Sequence, residues 1–265
     1  MTLTIERDGP VTTFNRDRSQ ARNAMDPASA ETLTQALLAF DSDPAQSVGV
    51  LWGAGGAFCA GFDLKYAASQ LGEKNPMASL DFPEDGPVPR GPMGPTRLQL
   101  SKPVIAAIAG PAVAGGMELA LWCDIRVMEE SAYMGVYCRR WGVPLIDGGT
   151  VRLPRIVGRG RALDIILTGR KVEAQECLRI GLAERLVPHG KSRAAAEELA
   201  REIARFPQAC MRADRRSVWL QEGLSETEGL RAEWACSSGM VEREGAAGAA
   251  RFAAGKGRHG DFGEI

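Results

Sequence analysis

One carboxylate in an apolar stretch of the sequence could act as an acid or a base. Glu118 lies three residues into a predicted helix that begins near Gly115, and its neighbours are Met117 and Leu119. An unpaired carboxylate among apolar side chains is costly, and burial raises its pKa toward the range that suits proton transfer. The alternative is a structural ion pair with an arginine, for which Arg126 is a candidate.

Two glycine-rich turns could supply backbone amide groups to the same chemistry. Residues 53–62 and residues 110–116 each follow a predicted strand and lead into a predicted helix. Glycine permits a positive φ and close backbone approach, so N–H groups can converge on one point, and a helix N-terminus adds its positive dipole. Paired amides can hold an oxyanion such as a thioester enolate. Either turn alone could be structural, but their pairing with a lone carboxylate favours catalysis.

Other kinds of site are disfavoured by the residue types. Phe62 and Asp63 stand where a P-loop needs Lys and Ser or Thr, and the first turn does not complete a G-x-G-x-x-G motif. His189 and His259 are the two histidines, and no two of the six cysteines are spaced as C-x-x-C. The sequence therefore predicts neither a standard phosphate loop nor a metal site.

The composition is close to that of an average globular protein. Of 265 residues, 45% are hydrophobic and 25% are charged, and 32 Lys and Arg balance 33 Asp and Glu. This balance gives no electrostatic reason to expect nucleic acid or an anionic membrane as a partner. Residues 1–5 lack the pattern of a secretory signal, and we expect reduced cysteines in a cytoplasmic protein.

The predicted elements are strand–turn–helix units followed by helices, which indicates an α/β fold. The predicted strands are a hairpin over residues 3–14 that turns at Asp8-Gly9, then residues 48–52, 104–109 and 123–128. The predicted helices are residues 28–40, 62–69, a helix from about 115, 148–157, 161–168, 174–180, 191–205 and further helices from 207 to about 252. Residues 72–95 contain six prolines and four glycines, so we expect a long irregular loop, either functional or merely mobile.

With these residues assembled, the sequence resembles the crotonase (enoyl-CoA hydratase/isomerase) superfamily over nearly its whole length. The segments that carry the resemblance are residues 20–25, 57–65, 102–108, 115–120, 123–126, 148–154 and 259–262. Any one segment is a weak signal, whereas this order and spacing are specific. The resemblance implies a crotonase-like spiral of ββα units over residues 1–190 and a helical C-terminal trimerisation region over residues 191–265. It also implies a homotrimer or a hexamer built as a dimer of trimers.

The resemblance further implies where the substrate binds. The amides of Phe62 and Gly115 would hold the thioester oxygen, and residues 72–95 fall where relatives line the acyl pocket. Coenzyme A would be part of the substrate, so no separate cofactor is expected. The residues implied to contact its adenine and phosphates are Gln20, Ala21, Arg22, Ala60, Gly61, Asp63, Lys65 and Lys256.

The sequence departs from the hydratase pattern at one catalytic position. Glu118 matches the first glutamate of the hydratases, but Cys138 stands where the second glutamate is expected. A thiol with an ordinary pKa of about 8.5 is a poor substitute for a carboxylate. Asp147 precedes Gly148, and some relatives, including dienoyl-CoA isomerases, have a catalytic aspartate there. The hypotheses for Asp147 are catalysis or an N-cap, and the pair Arg139-Arg140 would neutralise it or line the cleft.

The leading functional prediction is an enoyl-CoA hydratase-like enzyme that uses an oxyanion hole and Glu118. Enoyl- or dienoyl-CoA isomerisation, thioester hydrolysis and decarboxylation are alternatives, because one fold supports several reactions. A non-catalytic acyl-CoA-binding oligomer is an alternative from another class. The cost of a buried carboxylate disfavours the last hypothesis, because a pure binding protein has little use for it.

Overall fold

Strands and helices alternate through most of the chain in the computed structural model, which describes residues 1–257. The strands are β1 (Thr2–Asp8), β2 (Val11–Asp17), β3 (Val48–Gly53), β4 (Val104–Ile108), β5 (Pro111–Val113), β6 (Ile125–Glu129), β7 (Tyr133–Gly135), β8 (Val172–Glu173) and β9 (Arg185–Val187). The helices are α1 (Pro27–Ser42), α2 (Leu64–Ser69), α3 (Gly115–Trp122), α4 (Gly149–Val157), α5 (Arg159–Thr168), α6 (Ala174–Arg179), α7 (Ser192–Ala204), α8 (Gln208–Leu220), α9 (Glu226–Ser237) and α10 (Ala246–Ala253). Residues 259–262, which include His259 and carry part of the resemblance, lie outside the described residues.

The larger sheet brings the two glycine-rich turns to one edge. Its order is β1-β2-β3-β4-β6-β9, in which β1 and β2 form the predicted hairpin and the other pairs are parallel. β3 and β4 are neighbours, with Leu51 opposite Ala106. The turns that follow these two strands therefore leave the sheet at the same edge, where ligand sites of parallel sheets commonly lie.

The apolar core fixes the sheet against its helices. β3 and β4 are buried on both faces apart from the partly exposed Trp52, which suits their nearly continuous apolar sequence. Phe14 of β2 and Phe40 of α1 pack edge to face with ring centroids 5.6 Å apart. Every residue of α3 is buried, so Glu118 is carried by a helix that cannot turn it toward bulk solvent.

The strands that the sequence analysis did not predict are short. β5, β7 and β8 form a separate three-stranded sheet, and β9 adds a parallel edge strand to the larger sheet. Each of these strands has only two or three residues, too few for an alternation of apolar and polar residues to be recognised. The helices predicted after Gly148 are present, and β8 and β9 lie in the gaps between them, to which the sequence analysis assigned no structure.

The proline-rich segment is irregular, as predicted, apart from two single 3-10 turns at Ala78–Leu80 and Pro95–Arg97. Most of its residues from 72 to 88 are exposed, whereas residues 91–96 are all buried. α1 and α3 both pack against residues 95–97. The end of the segment is therefore part of the packed interior beside α3.

The chain divides into two compact units, Met1–Ala200 and Arg201–Ile265. The first contains both sheets, and the second is helical as far as it is described. Within the second unit, α8 and α9 pack together, and Ser225 begins α9 with a capping box to Glu228. The expected boundary at residue 190 and the trimerisation role stay predictions. Within the described residues, no helix is both long and apolar enough to span a bilayer.

Candidate active site

Glu118 is held by two backbone amides from a distant part of the chain. Its Oε1 atom accepts hydrogen bonds from the N–H of Asp147 (2.9 Å) and the N–H of Gly149 (2.8 Å). Gly149 is the first residue of α4, so the positive end of that helix faces the carboxylate. Within residues 1–257, no hydrogen bond ends on Oε2. One oxygen is thus anchored and the other is left for proton exchange.

The environment of Glu118 moves its pKa from 4.5 to about 7. Burial is the main cause, since the side chain is only 3% exposed, and the negative charge of Asp147 acts in the same direction. The two amide hydrogen bonds and Arg152 oppose this increase in the pKa. A carboxyl group that titrates near neutral pH can both accept and donate a proton, as general acid–base catalysis requires.

The alternative of an ion pair between Glu118 and Arg126 was wrong. The Arg126 guanidinium donates to the Glu184 carboxylate and to the carbonyl oxygens of Leu182 (3.1 Å) and Cys123 (2.8 Å). These partners lie at the junction of β6 with the chain before β9, and they account for the burial of Arg126. Arg126 therefore does not hold Glu118 in its ionised form.

Replacing Glu118 by glutamine is expected to stabilise the fold above pH 7. The folded-state pKa of about 7 exceeds the ordinary 4.5, so wild-type stability falls as pH rises through that window and stays low above it. Glutamine does not titrate, and the gain is at most about 3 kcal/mol because one pKa unit corresponds to about 1.4 kcal/mol. Urea unfolding of the wild type and of Glu118→Gln at pH 5 and pH 8 measures this gain in the free energy of unfolding. A difference between the two proteins that does not change with pH would contradict the assigned environment.

The two glycine-rich turns pack against each other without intervening side chains. The N–H of Cys59 donates to the carbonyl of Pro111, and the N–H of Val113 donates to the carbonyl of Cys59, both at 3.0 Å. A Cβ atom on Gly116 would overlap the carbonyl oxygen of Cys59, and one on Gly61 would lie 3.1 Å from the N atom of Gly115. The approach of the two backbones therefore requires glycine at both positions.

This packing brings Phe62 and Gly115, two residues with unpaired N–H groups, close to each other. Within the described residues, the N–H groups of Phe62 and Gly115 donate to no protein acceptor. Gly115 is the first residue of α3, where such N–H groups have no partner inside the helix. Ala114 before it has a φ of 55°, unusual for a residue with a side chain. Two N–H groups without a protein acceptor therefore belong to turns that are in direct contact.

Side chains from the segment after β2 hold the first turn in place. Asn23 donates to the carbonyls of Ala54 (2.8 Å) and Ala57 (2.7 Å), and Arg18 pairs with Asp63 at 2.6 Å. The sequence analysis named Asn23 only as part of a motif and did not single out Arg18. Their side chains reach residues more than thirty positions away, so only the motif itself could have indicated their role.

The residues predicted to contact coenzyme A lie partly at this turn. Gln20 and Arg22 are exposed around a 3-10 helix, Ser19–Ala21, and the N–H of Ala60 donates to the Arg22 carbonyl (3.0 Å). Asp63 is buried and caps α2 by accepting from the N–H groups of Lys65 and Tyr66. Lys65 is exposed on α2, while Lys256 is exposed in the second unit. Their contact with a ligand stays a prediction.

Asp147 is not an N-cap, so that hypothesis was wrong. Gly148 is the N-cap of α4, and the Asp147 carboxylate instead accepts from the N–H of Met93 (2.9 Å) and from the Thr96 hydroxyl. Burial is the main influence on Asp147 and raises its pKa, while the Thr96 and Met93 hydrogen bonds and the charges of Arg97 and Arg152 lower it.

The pair Arg139-Arg140 does not neutralise Asp147. Arg139 donates to the carbonyl of Ile166 (3.2 Å), and Arg140 lies over the ring of Tyr137, 3.9 Å from its centroid. Both arginines are exposed, so they contact their own neighbourhood and solvent. The cations beside Asp147 come from Arg97 and Arg152 instead.

Cys138 is buried within a 3-10 helix, Tyr137–Trp141, in the neighbourhood of Glu118. Burial and the negative charge of Glu118 both raise the pKa of its thiol above the ordinary value. Because a thiol with a raised pKa stays protonated near neutral pH, Cys138 does not replace the second carboxylate as a base.

The chain is similar to known proteins both in sequence and in structure. A family model described as enoyl-CoA hydratase/isomerase matches residues 6–253. The chain is 36% identical to the enoyl-CoA hydratase EchA19 of Mycobacterium tuberculosis and 35% identical to the carnitinyl-CoA dehydratase of Salmonella arizonae, with 86% of this chain and 84% of each relative covered. Among solved structures, the enoyl-CoA hydratase of Bacillus anthracis has a TM-score of 0.85 at 31% identity, with 96% of each chain covered. The enoyl-CoA hydratase EchA1 of Mycobacterium marinum has a TM-score of 0.84 at 29% identity over 95% of each chain.

Proposed function

The chain belongs to the enoyl-CoA hydratase/isomerase family, and from this membership we propose that it adds water to the double bond of a trans-2-enoyl-CoA thioester. The observation that carries the proposal is the buried Glu118 carboxylate, which is anchored through Oε1 and has a pKa raised to about 7. The unpaired amides of Phe62 and Gly115 supply the second requirement, a place for negative charge on the thioester oxygen.

In the proposed reaction, Glu118 moves one proton in each of two steps. Its carboxylate takes a proton from water while the water oxygen bonds to C3, and the electron pair of the double bond moves to the thioester oxygen as an enolate. The amides of Phe62 and Gly115 stabilise that charge. The Glu118 carboxyl group then returns its proton to C2. One water is added, and the carboxylate is regenerated.

A single carboxylate is proposed for both steps because the second family glutamate is absent. Cys138 stands at that position with a raised thiol pKa, so it is a poor proton acceptor near neutral pH. The pKa of about 7 for Glu118 supports a mechanism in which the same group first accepts and then donates one proton.

Double-bond isomerisation is the second candidate reaction, and it is favoured by the absence of the second family glutamate. Isomerisation of a 3-enoyl-CoA needs proton transfer between carbon atoms and no activated water, so Glu118 alone could remove a proton from C2 and deliver it to C4. The enolate would be held by the same two amides. Thioester hydrolysis, decarboxylation and simple acyl-CoA binding have no observation in their favour beyond the shared site.

We also propose that the turn at residues 60–63, together with Gln20, Ala21, Arg22 and Lys65, binds the coenzyme A part of the substrate. Exposed cationic side chains at Arg22 and Lys65 support phosphate contacts.

We further propose that the protein is a homotrimer or hexamer. The apolar side chains of Leu230, Trp234 and Phe252 are more than half exposed, which supports burial against another copy.

The reaction is tested by following the absorbance of the conjugated enoyl thioester with crotonyl-CoA and longer trans-2-enoyl-CoA substrates. Hydration is expected to remove the absorbance, whereas isomerisation of a 3-enoyl-CoA creates it. Release of free coenzyme A thiol would indicate hydrolysis. Absence of turnover on all enoyl-CoA substrates, with acyl-CoA binding still measurable by calorimetry, would contradict the enzymatic proposal and support a binding protein.

A further inference from the structure

Asp147 contacts two parts of the candidate active site at once. Its backbone N–H donates to Glu118 Oε1 (2.9 Å), while its Oδ1 accepts from the N–H of Met93 (2.9 Å) and from the Thr96 hydroxyl. Asp147 and Thr96 are buried, and Met93 is fully buried. One residue therefore connects the catalytic carboxylate with the buried end of the proline-rich segment.

Residues 91–96 form a tight turn around the Asp147 carboxylate. Gly91 and Gly94 exchange two backbone hydrogen bonds, each 2.9 Å long, and Gly94 has a φ of 91°. A Cβ atom on Gly91 would overlap the Thr96 hydroxyl oxygen, so the turn closes only with glycine there. Arg152 closes it further by donating to the carbonyls of Asp147 (3.0 Å) and Thr96 (2.7 Å).

The same turn places a side chain against the proposed oxyanion amide. A Cβ atom on Gly115 would lie 2.7 Å from Sδ and 2.8 Å from Cγ of Met93, so the thioether packs directly on that residue. Because a methionine side chain is flexible, a fixed backbone at Met93 helps to keep its thioether in this place. The Met93 N–H that Asp147 holds provides that fixation.

We propose that Asp147 is a positioning residue, which holds residues 91–96 and thereby Met93 against Gly115 and does not itself transfer protons. The inference rests on the proposed function, because it concerns the same oxyanion site. The carboxylate acts through Oδ1 as an acceptor for two donors, a role that the amide oxygen of asparagine also fills. Proton transfer, in contrast, needs an ionisable group that asparagine lacks.

The test compares Asp147→Asn, Asp147→Ala and Thr96→Val. Asp147→Asn keeps the acceptor and is expected to leave kcat within about tenfold of wild type, whereas loss of a proton-transferring group costs about 10²- to 10⁴-fold. Asp147→Ala is expected to lower kcat/KM by about 10²-fold, because a small misplacement of reacting groups has an effect of that size. Thr96→Val removes one of the two hydrogen bonds to Oδ1, and it is expected to lower kcat/KM by about tenfold. Asp8→Ala and Thr4→Val, at exposed positions of β1, are the matched controls.

The pH dependence of kcat gives a readout that a purely structural role would not move. Asp147→Asn removes the negative charge that raises the pKa of Glu118, and the opposing charge of Arg152 remains. The neighbouring Cys138 thiol stays neutral in this range, because its pKa is raised. The profile of Asp147→Asn is therefore expected to shift to lower pH while keeping the ionisation that belongs to Glu118.

Amide hydrogen exchange within residues 91–96, at the four residues that carry an N–H group (Gly91, Met93, Gly94 and Thr96), decides the positioning role without any turnover. Exchange is expected to accelerate in Asp147→Ala and Thr96→Val and to stay slow in Asp147→Asn. If the wild type converts no enoyl-CoA, the proposed function fails, and this measurement still tests Asp147. The inference is overturned if Asp147→Asn loses as much kcat as Glu118→Gln does. It is also overturned if Asp147→Ala leaves exchange at residues 91–96 unchanged.

Discussion

Glu118→Gln is expected to lower kcat on a trans-2-enoyl-CoA by about 10³-fold or more, at the upper end of what one acid–base group contributes. The glutamine amide oxygen can still accept the hydrogen bonds from the N–H groups of Asp147 and Gly149, so the local structure is kept. What the variant loses is proton exchange at the second oxygen. Since the proposed mechanism uses the same carboxyl group in both steps, no other group compensates.

Loss of enoyl thioester absorbance measures this effect, and calorimetry with the same substrate measures binding separately. The matched control is Glu130→Gln, the same substitution at an exposed position twelve residues further along the chain. The control is expected to behave as wild type, and Glu118→Gln is expected to keep acyl-CoA binding. Full activity of Glu118→Gln would rule out the mechanism, whatever reaction the enzyme catalyses.

Gly116→Ala is expected to lower kcat/KM by about 10²- to 10³-fold, the range found when an oxyanion-hole donor is removed. The new methyl group would overlap the Cys59 carbonyl oxygen, which belongs to the backbone of the opposite turn and cannot rotate away. The turns must separate, and the amides of Phe62 and Gly115 separate with them. Turnover of the enoyl-CoA at saturating substrate measures kcat, and turnover at limiting substrate measures kcat/KM. A fall in both indicates lost stabilisation of the oxyanion, whereas a fall in kcat/KM alone indicates weaker binding.

The control for this substitution is Gly160→Ala in α5, where an added methyl group meets no atom within 4 Å. Circular dichroism checks that each variant folds. If Gly116→Ala does not fold, Gly61→Ala is the substitute, because its methyl group would lie 2.9 Å from the Ala114 Cβ atom on the other turn. A folded variant with wild-type kcat/KM would mean that the approach of the turns is not needed for activity.

The parts of the site that could be predicted from sequence are those with a local signal. Glu118 is recognisable because a charge inside an apolar helix is unusual, and the turns are recognisable because glycines cluster after strands. The order and spacing of the sequence motifs indicated the family. The first turn and α3 accordingly lie where the strand–turn–helix pattern predicts them.

The parts that could not be predicted depend on distant partners. Asp147 is 54 residues from Met93 and 51 from Thr96, so nothing in its local sequence separates a capping carboxylate from one that holds a loop. The Glu184 that pairs with Arg126 is 58 residues away. The strands of the small sheet are likewise defined by their pairing with each other, not by a pattern of their own.

The anchoring of Glu118 by main-chain amides has a consequence for how this enzyme changes over generations. The N–H groups of Asp147 and Gly149 are present whichever side chains stand at those positions. The same holds for the amides of Phe62 and Gly115. The proposed thioester activation is thus robust to many side-chain mutations, apart from those at the glycines that permit the geometry and at Asp147, whose carboxylate holds Met93 and Thr96. Position 138 lacks such a constraint, and a new reaction can arise there on a scaffold that we propose stabilises the enolate.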